Sequence, residues 1–555
     1  MFKKQVVSLI LIGSFILAVY STEAQVRATK ATTPTAARGN VEAITAAQMK
    51  DYLTFIASDE LEGRDTPSRG LDIAALFIAT NLARWGLKPA GEGGTYFQSF
   101  ALRRDRIDPA LSRASLGNQH FNYGDDFLAQ LQAGSVSGSL VYANHGWVVK
   151  AKNIDAYKGL DVKDKILITH NGLPKGVTIQ ELVTTRPGED WANAQIYAAQ
   201  HGAKAVIVVP DFQTFANWEE RRRSTLEEGE IALANPESSG DAQLVPSPKI
   251  PTIAASAKML AALFQGEPHN APTIFNRFAA GDPVAAFELK SDKKFSLSIA
   301  VKAEPATTKN IIAVLEGSDP QLKNEYVAIG AHYDHVGIGT PADGDAIYNG
   351  ADDDGSGTVA VMAMAEAFAK GPRPRRSILF IWHAGEEKGL WGAEHFTAHP
   401  TVPVKQIITQ LNIDMIGRSK REGDNSSANP ELARQGEVFV IGSKMMSTDL
   451  GEISESVNRS YLNLKFNYKY DDPNDPNRYF FRSDHFHYAQ KGIPIIFYMD
   501  GDHEDYHQPS DSVEKIDFDQ MEKIARTIYA TAWELANRAA RPRVDKKLPF
   551  NLSGN

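Results

Sequence analysis

The 555-residue chain contains no cysteine. That excludes disulfides, thiolate metal sites, iron–sulfur clusters, cysteine nucleophiles and lipid anchoring through an N-terminal cysteine. Any metal must be held by His, Asp and Glu. An excess of positive charge is also missing. Lys and Arg number 59 against 68 Asp and Glu, a formal net charge of −9. A nucleic-acid-binding protein would normally carry a basic face, so no nucleic-acid partner is expected. Beyond the first two dozen residues no apolar run is long enough to span a bilayer, which takes about 20 residues. The rest of the composition is ordinary: 43% hydrophobic and 23% charged residues suit a globular chain with one large core and a smaller one.

The apolar start reads as a secretory signal over residues 1–24. Lys3 and Lys4 precede a mostly apolar stretch from Val6 to Tyr20, and Thr22-Glu23-Ala24 ends it with small residues at the −3 and −1 positions. The Thr/Ala-rich segment 25–43 is expected to be a disordered linker. The mature chain is therefore expected to be exported, periplasmic or extracellular, with no stable membrane span once the signal is cleaved.

Periodicity divides the remainder. Met49, Tyr52, Leu53 and Ile56 follow a helical period, as do Ile73, Leu76, Phe77 and Leu82. Short β-like runs at 136–141, 165–169 and 205–209 give residues 125–285 the texture of a small α+β insert, and Arg221-Arg222-Arg223 within it, following Glu219-Glu220, reads as a solvated charged face. From about 308 the pattern becomes strand, loop, helix. Nearly continuous apolar runs at 311–315, 326–331, 378–382, 407–413 and 493–499 alternate with helical segments, notably 357–369 and 520–540. Such runs are expected of strands buried on both faces, in a sheet covered by helices. The expected organisation is a discontinuous α/β unit over 44–124 and 286–540, the insert at 125–285 and a tail at 541–555.

The chemistry-bearing residues cluster on this frame. His332-Tyr333-Asp334 follows the strand at 326–331. Asp352-Asp353-Asp354-Gly355-Ser356-Gly357 forms a turn that opens a helix. Gly385-Glu386-Glu387 follows 378–382, Asp414 ends 407–413, and Tyr506-His507 lies in the loop after 493–499. The carboxyl edge of an open α/β sheet is where ligands bind. His332, Asp353, Glu387, Asp414 and His507 are five groups suited to Zn²⁺ or a similar ion. If one carboxylate bridges, they give three ligands to each of two ions. Of the adjacent Glu386 and Glu387, one would bind metal and the other take a proton from activated water.

These stretches, with Asn412-Ile413-Asp414-Met415-Ile416-Gly417 and Tyr506-His507-Gln508-Pro509-Ser510-Asp511, resemble the M28 family of dizinc aminopeptidases and carboxypeptidases. The resemblance covers about 44–115 and 290–540. It implies a three-layer α/β/α zinc-exopeptidase fold with a mixed, mostly parallel sheet, two Zn²⁺ ions per chain and peptide or protein substrates. Asp353 would bridge the ions. Asp414 and His507 would complete one, and His332 and Glu387 the other. Glu386 would be the general base, Asp334 would orient His332, and Tyr506 would donate to the tetrahedral oxyanion. The Asp353–Asp354 bond is expected to be cis. Gly159-Leu160-Asp161-Val162-Lys163-Asp164 and Gly202-Ala203-Lys204-Ala205-Val206-Ile207-Val208 make the insert similar to a protease-associated (PA) domain.

The expected activity is removal of N-terminal residues, with carboxypeptidase or dipeptidase action as the alternative. Glutaminyl cyclase activity and a metal-free binding module stand behind these. A C-terminal carboxylate would call for an arginine, for which Arg418 and Arg482 are the candidates. Ser483-Asp484-His485-Phe486-His487 is expected to shape the pocket rim, and His383 to serve packing.

Overall fold

The computed structural model describes residues 38–548, apart from 184, 236–249, 422, 424–426 and 473. The expected signal and most of the expected linker lie outside the described residues. The last part of that linker is ordered: Val41–Ala43 form a 3-10 turn, with Val41 and Ile44 buried. Arg526 fastens the turn by donating to the Ile44 carbonyl at 2.8 Å and pairing with Glu42 at 2.8 Å.

One mixed sheet organises the chain around the site. Its strands in sequence order are β1 (Phe97–Ile107), β2 (Val301–Leu315), β3 (Tyr326–His332), β4 (Ser377–His383), β5 (Ile407–Ile413), β6 (Glu437–Ile441), β7 (Lys465–Asn467) and β8 (Ile495–Met499). Their spatial order is β1-β2-β4-β3-β5-β8-β6-β7, with Glu230–Leu233 added outside β1. The four central strands β4, β3, β5 and β8 are parallel. β2 runs antiparallel to β4, and β6 antiparallel to β8. β6 was not anticipated: it is a five-residue run between Gly436 and Gly442, both at positive φ.

Alternation along the strands sorts side chains into two cores. Ile311, Ala313 and Leu315 enter one, and Ile312 and Val314 the other; in β4, Ile378, Phe380 and Trp382 separate likewise from Leu379 and Ile381. The first core is closed by α1 (Ala46–Ile56), α2 (Arg69–Arg84), α3 (Gly357–Lys370), the helix Thr448–Arg459 and the long helix Phe518–Asn537. The second is closed by Trp391–Ala398 and His485–Gln490. The result is a three-layer α/β/α arrangement. Side-chain caps define several helix starts, with Thr45 accepting from the Gln48 amide and Ser68 from the Leu71 amide.

A further core lies between β1 and β2 in sequence. It includes Ile107, Phe121, Phe127, Leu140, Ile168, Ile207, Ile253 and Phe295. Strands Leu140–Tyr142, Ile166–His170, Ala205–Val209 and Thr252–Ala255 are parallel neighbours within it. This core reaches beyond the expected 125–285. Arg113–Leu116 and Phe295–Ile299 pair with each other, and Phe295–Ile299 also pairs with Gly134–Gly138. Chain entry and exit coincide instead with the far end of the β1/β2 ladder, registered from Phe97↔Ile311 to Ile107↔Val301. At the other terminus, Arg541 and Arg543 tie the expected tail down by ion pairs of 2.8 Å to Glu325 and Asp449.

Candidate metal and active site

Every sequence-derived ligand candidate converges at the carboxyl edge of β3, β4, β5 and β8. His332 is the last residue of β3, and Asp414 follows the last residue of neighbouring β5. Glu386 and Glu387 lie in the loop after β4. Asp353 sits in the turn before α3, and the Asp353–Asp354 peptide is cis. His507 reaches in from the loop after β8 with a left-handed φ of 53°.

The three consecutive aspartates divide into three tasks. Asp352 accepts from the Gly417 amide at 2.6 Å and faces His503 Nε2 at 3.1 Å. Asp354 accepts from the amides of His332, Gly357 and Met415 at 3.1, 2.9 and 3.2 Å, joining β3, α3 and the loop after β5. Only Asp353 of the three turns toward His332 and His507. Its Oδ1 is 3.2 Å from His332 Nε2, and its Oδ2 is 3.0 Å from His507 Nε2. Asp511 supports the turn by accepting from the amides of Asp352 and Asp353 at 2.9 and 3.1 Å.

The pairing of the remaining ligands differs from the expected one. His507 Nε2 lies 3.0 Å from Glu387 Oε2, while His332 Nε2 lies 3.6 Å from Asp414 Oδ1. His507 therefore belongs with Glu387, and His332 with Asp414. Strand β3 lies between β4 and β5, so adjacency admits either partner, and the turns past the strand ends decide for Asp414. Asp334 also acts differently. The ring Nδ1 of His332 meets the Asp334 backbone carbonyl at 3.1 Å, and the carboxylate only at 3.7 Å. That carboxylate instead accepts from the Glu386 amide at 3.3 Å and the Thr66 hydroxyl at 2.9 Å.

The donor set fits a pair of divalent cations. His332 Nε2, His507 Nε2 and Glu387 Oε1 are buried without a hydrogen-bond partner, although the two imidazole nitrogens face opposite oxygens of Asp353 at 3.2 and 3.0 Å. Burial opposes protonation of His507, yet Asp353 and Glu387 raise its pKa to about 10. Burial likewise works against charge on His332, but Glu386 and Asp414 lead the groups that hold it well above its ordinary value. Imidazolium thus balances the carboxylates in a place where a dication would displace those protons. Burial is also the main cause of the upward shifts of Glu386, Asp414 and Asp334, the last to about 7.

Beside the cluster lies a cleft lined by Asp353, Glu386 and Asp414 together with Met415, Tyr479, Arg482, Phe497, Met499, Asp502 and Tyr506. The Tyr506 ring stacks on His507 at 4.0 Å, and Arg482 Nη2 donates to its hydroxyl at 3.4 Å. Arg482 also pairs with Asp502 at 3.3 Å. Arg418 is turned away from the cleft and donates to Asp505 at 2.9 Å. His383 is buried against the Tyr488 hydroxyl at 3.0 Å, and His485 against the Phe480 carbonyl at 2.9 Å. Ser483 supports β5 by accepting from Asn412 at 2.8 Å.

Sequence reasoning missed two groups. The fully buried Arg64 donates to the carbonyls of Tyr333, Ile56, Asn349 and Gly350, clamping the loops on either side of the cluster. His335, also fully buried, places Nδ1 2.8 Å from Glu387 Oε1. Its position three residues after His332 was the available signal.

The site is thus a set of imidazoles and carboxylates gathered at the carboxyl edge of the parallel strands in a helix-covered mixed sheet, able to hold metal ions. The family model described as Peptidase family M28 matches residues 310–532. Among curated relatives, a probable leucine aminopeptidase from Arthroderma benhamiae is 27% identical over 239 residues, spanning 41% of this chain and 57% of the relative. Aminopeptidase YwaD of Bacillus subtilis is 26% identical over 249 residues, 43% of this chain and 48% of that protein. The matched region thus spans about half the length of these relatives. The solved aminopeptidase from Aneurinibacillus sp. strain AM-1 shares the fold, with TM-score 0.50 and 16% identity over 92% of this chain and 98% of its own.

Proposed function

We propose that the chain is an exported dizinc aminopeptidase that hydrolyses peptides from their N-terminal end. The observation that carries this reading is that His332 Nε2 and His507 Nε2, buried and without hydrogen-bond partners, each face one oxygen of Asp353, at 3.2 and 3.0 Å. Glu387, His507 and Asp353 would hold one ion; His332, Asp414 and Asp353 would hold the other. When bound, such a pair supplies Lewis acidity and lowers the pKa of water toward about 7.

The chain's own groups perform the remaining work. Glu386, whose Oε2 stands 3.9 Å from His332 Nε2, takes the proton of the attacking water and passes it to the leaving amine. Asp334 fixes the backbone of that base through the Glu386 amide. The Tyr506 hydroxyl donates to the oxyanion formed from the scissile carbonyl. Met415, Tyr479, Phe497 and Met499 give the cleft an apolar lining for the side chain of the first residue.

Aminopeptidase action is favoured over carboxypeptidase action by the state of the two candidate arginines. Arg418 is committed to Asp505, and Arg482 to Asp502. Neither offers an unopposed fork for a C-terminal carboxylate. We read residues 108–300 as a PA-like unit that controls access to the cleft. The N-terminal signal pattern supports export.

The test compares N-terminally free and N-acetylated peptides on protein of measured metal content. Near two ions per chain, with chelator-sensitive release of the first residue from free peptides only, is the expected result. Glu386→Gln should keep its metal and lose about 10²–10⁴-fold in kcat. Cleavage of blocked peptides from the carboxyl end would turn the reading to carboxypeptidase. Metal-free protein without hydrolysis of either set would leave a binding module.

A further inference from the structure

We propose that His335 is a fourth protein ligand of the ion that Glu387 and His507 would hold, making the two metal positions unequal. This rests on the dizinc reading and adds a residue outside its five-ligand set.

The imidazole of His335 is wholly buried. Its Nδ1 lies 2.8 Å from Glu387 Oε1 and 3.8 Å from Asp353 Oδ2. Neither His335 Nδ1 nor Glu387 Oε1 meets hydrogen-bond geometry with any neighbour. Two buried polar atoms at this separation without a bond between them point at a common third atom. One ligand atom each from His335, Asp353, Glu387 and His507 lies within 4.8 Å of the other three. The His335 and His507 rings meet edge to face at 5.4 Å, so both can aim a nitrogen at one point without overlap.

The surroundings are built for this ring. A Cβ on Gly350 would come within 2.5 Å of the His335 Cγ and Cδ2 atoms, and Gly350 itself has a left-handed φ of 56°. Glycine there leaves the space that the imidazole fills. The His335 amide donates to the Arg64 carbonyl at 3.2 Å, while the Arg64 side chain holds the Gly350 carbonyl at 3.0 Å. One residue thus positions both the ring and its cradle.

The consequence is a division of labour. Two imidazoles and two carboxylates close the His335 position, a set that suits a retained tetrahedral ion. The position of His332, Asp414 and Asp353 has three protein groups and keeps an opening. Asp353, Glu386 and Asp414 line the cleft, whereas His332, His335, Glu387 and His507 do not. The open position is therefore the one that meets substrate, and the His335 position fills first and empties last.

The test is a Co²⁺ titration of the full chain after removal of metal by dialysis against chelator, read by visible absorption. Wild-type protein should bind two equivalents in separated steps. Loss of an outer-shell partner costs about 10–100-fold in metal affinity. His335→Ala should weaken the first step by more than about 100-fold, shift the absorption band of that ion, and leave the second step within about threefold. A weakening inside about 100-fold with an unchanged band would put His335 outside the coordination sphere and overturn the proposal. His335→Asn separates ligation from hydrogen bonding, because its amide can still donate to Glu387; wild-type affinity in this variant would equally overturn it. Near-ultraviolet circular dichroism that matches wild type keeps either variant interpretable. Two-step binding and peptide hydrolysis in wild type with no effect of either substitution would defeat this assignment while leaving the dizinc peptidase intact. Failure of wild type to bind Co²⁺ would defeat both.

Discussion

Replacing Arg64 by alanine should destabilise the domain by about 3–5 kcal/mol, the range for breaking a buried, fully engaged charged group. The guanidinium is completely buried and donates to four backbone carbonyls: Tyr333 at 3.0 Å, Asn349 at 2.7 Å, Gly350 at 3.0 Å and Ile56 at 2.5 Å. Charge-assisted hydrogen bonds contribute about 1.5–3 kcal/mol each, a gross loss of roughly 6–12 kcal/mol. Removing the buried cation returns several kcal/mol of desolvation cost, and water entering the space recovers part of the rest. At about 2–4 °C per kcal/mol, thermal unfolding should begin about 6–20 °C lower. Arg64→Lys, with three donors for four acceptors, should fall between wild type and alanine. Zinc affinity should drop as well, since Tyr333 adjoins His332 and Gly350 cradles His335. The assay is thermal unfolding of both variants with and without added zinc. A shift below about 2 °C in Arg64→Ala would refute the clamp argument.

Other substitutions probe different links. Asp354→Ala frees the amides of His332, Gly357 and Met415; a loss of about 2–4 kcal/mol in chemical denaturation is expected at about 1–3 kcal/mol per unsatisfied group, partly relieved by water. His170, stacked on Phe278 at 3.7 Å, has its pKa lowered by burial to about 3. Its folded value lies below its unfolded one, so the unfolded chain binds the extra proton; stability is full above about pH 6.5 and falls by up to about 1.4 kcal/mol per pH unit toward pH 3. His170→Phe should flatten that slope in unfolding curves measured between pH 4 and 7, and an unchanged slope would refute the assignment. Chelator treatment should lower the unfolding temperature, and zinc at about 100 times Kd should restore about 2.7 kcal/mol; identical melting curves would refute metal linkage.

The apolar runs of β3, β4 and β5 were legible because strands buried on both faces need little else. The positions of the acids and histidines followed from them, since residues just past such strands share one edge. Ligand pairing was not legible. Within the β4-β3-β5-β8 order each strand end has two neighbours, and the pairing depends on where the loops past those ends turn their side chains, which no one segment reveals. The family resemblance implied that the Asp334 carboxylate orients His332, yet the local turn presents its carbonyl to His332 and frees its side chain for Glu386. Arg64 and His335 escaped for a related reason. A lone arginine in a polar stretch reads as surface, and nothing local reveals that it is fully enclosed.

The β1/β2 ladder makes the whole of residues 108–300 the turn of a single hairpin. A chain that leaves and returns at adjacent points places no topological demand on what lies between. Such a unit can be exchanged, enlarged or reduced to a tight turn at the cost of only its own edge strand Glu230–Leu233, while the order from β1 inward stays the same. The unit can thus vary independently of the side chains gathered at the carboxyl edge of the sheet. The same geometry makes residues 108–300 a natural place for grafting: a foreign domain with neighbouring termini could be carried on this stem without rethreading the sheet.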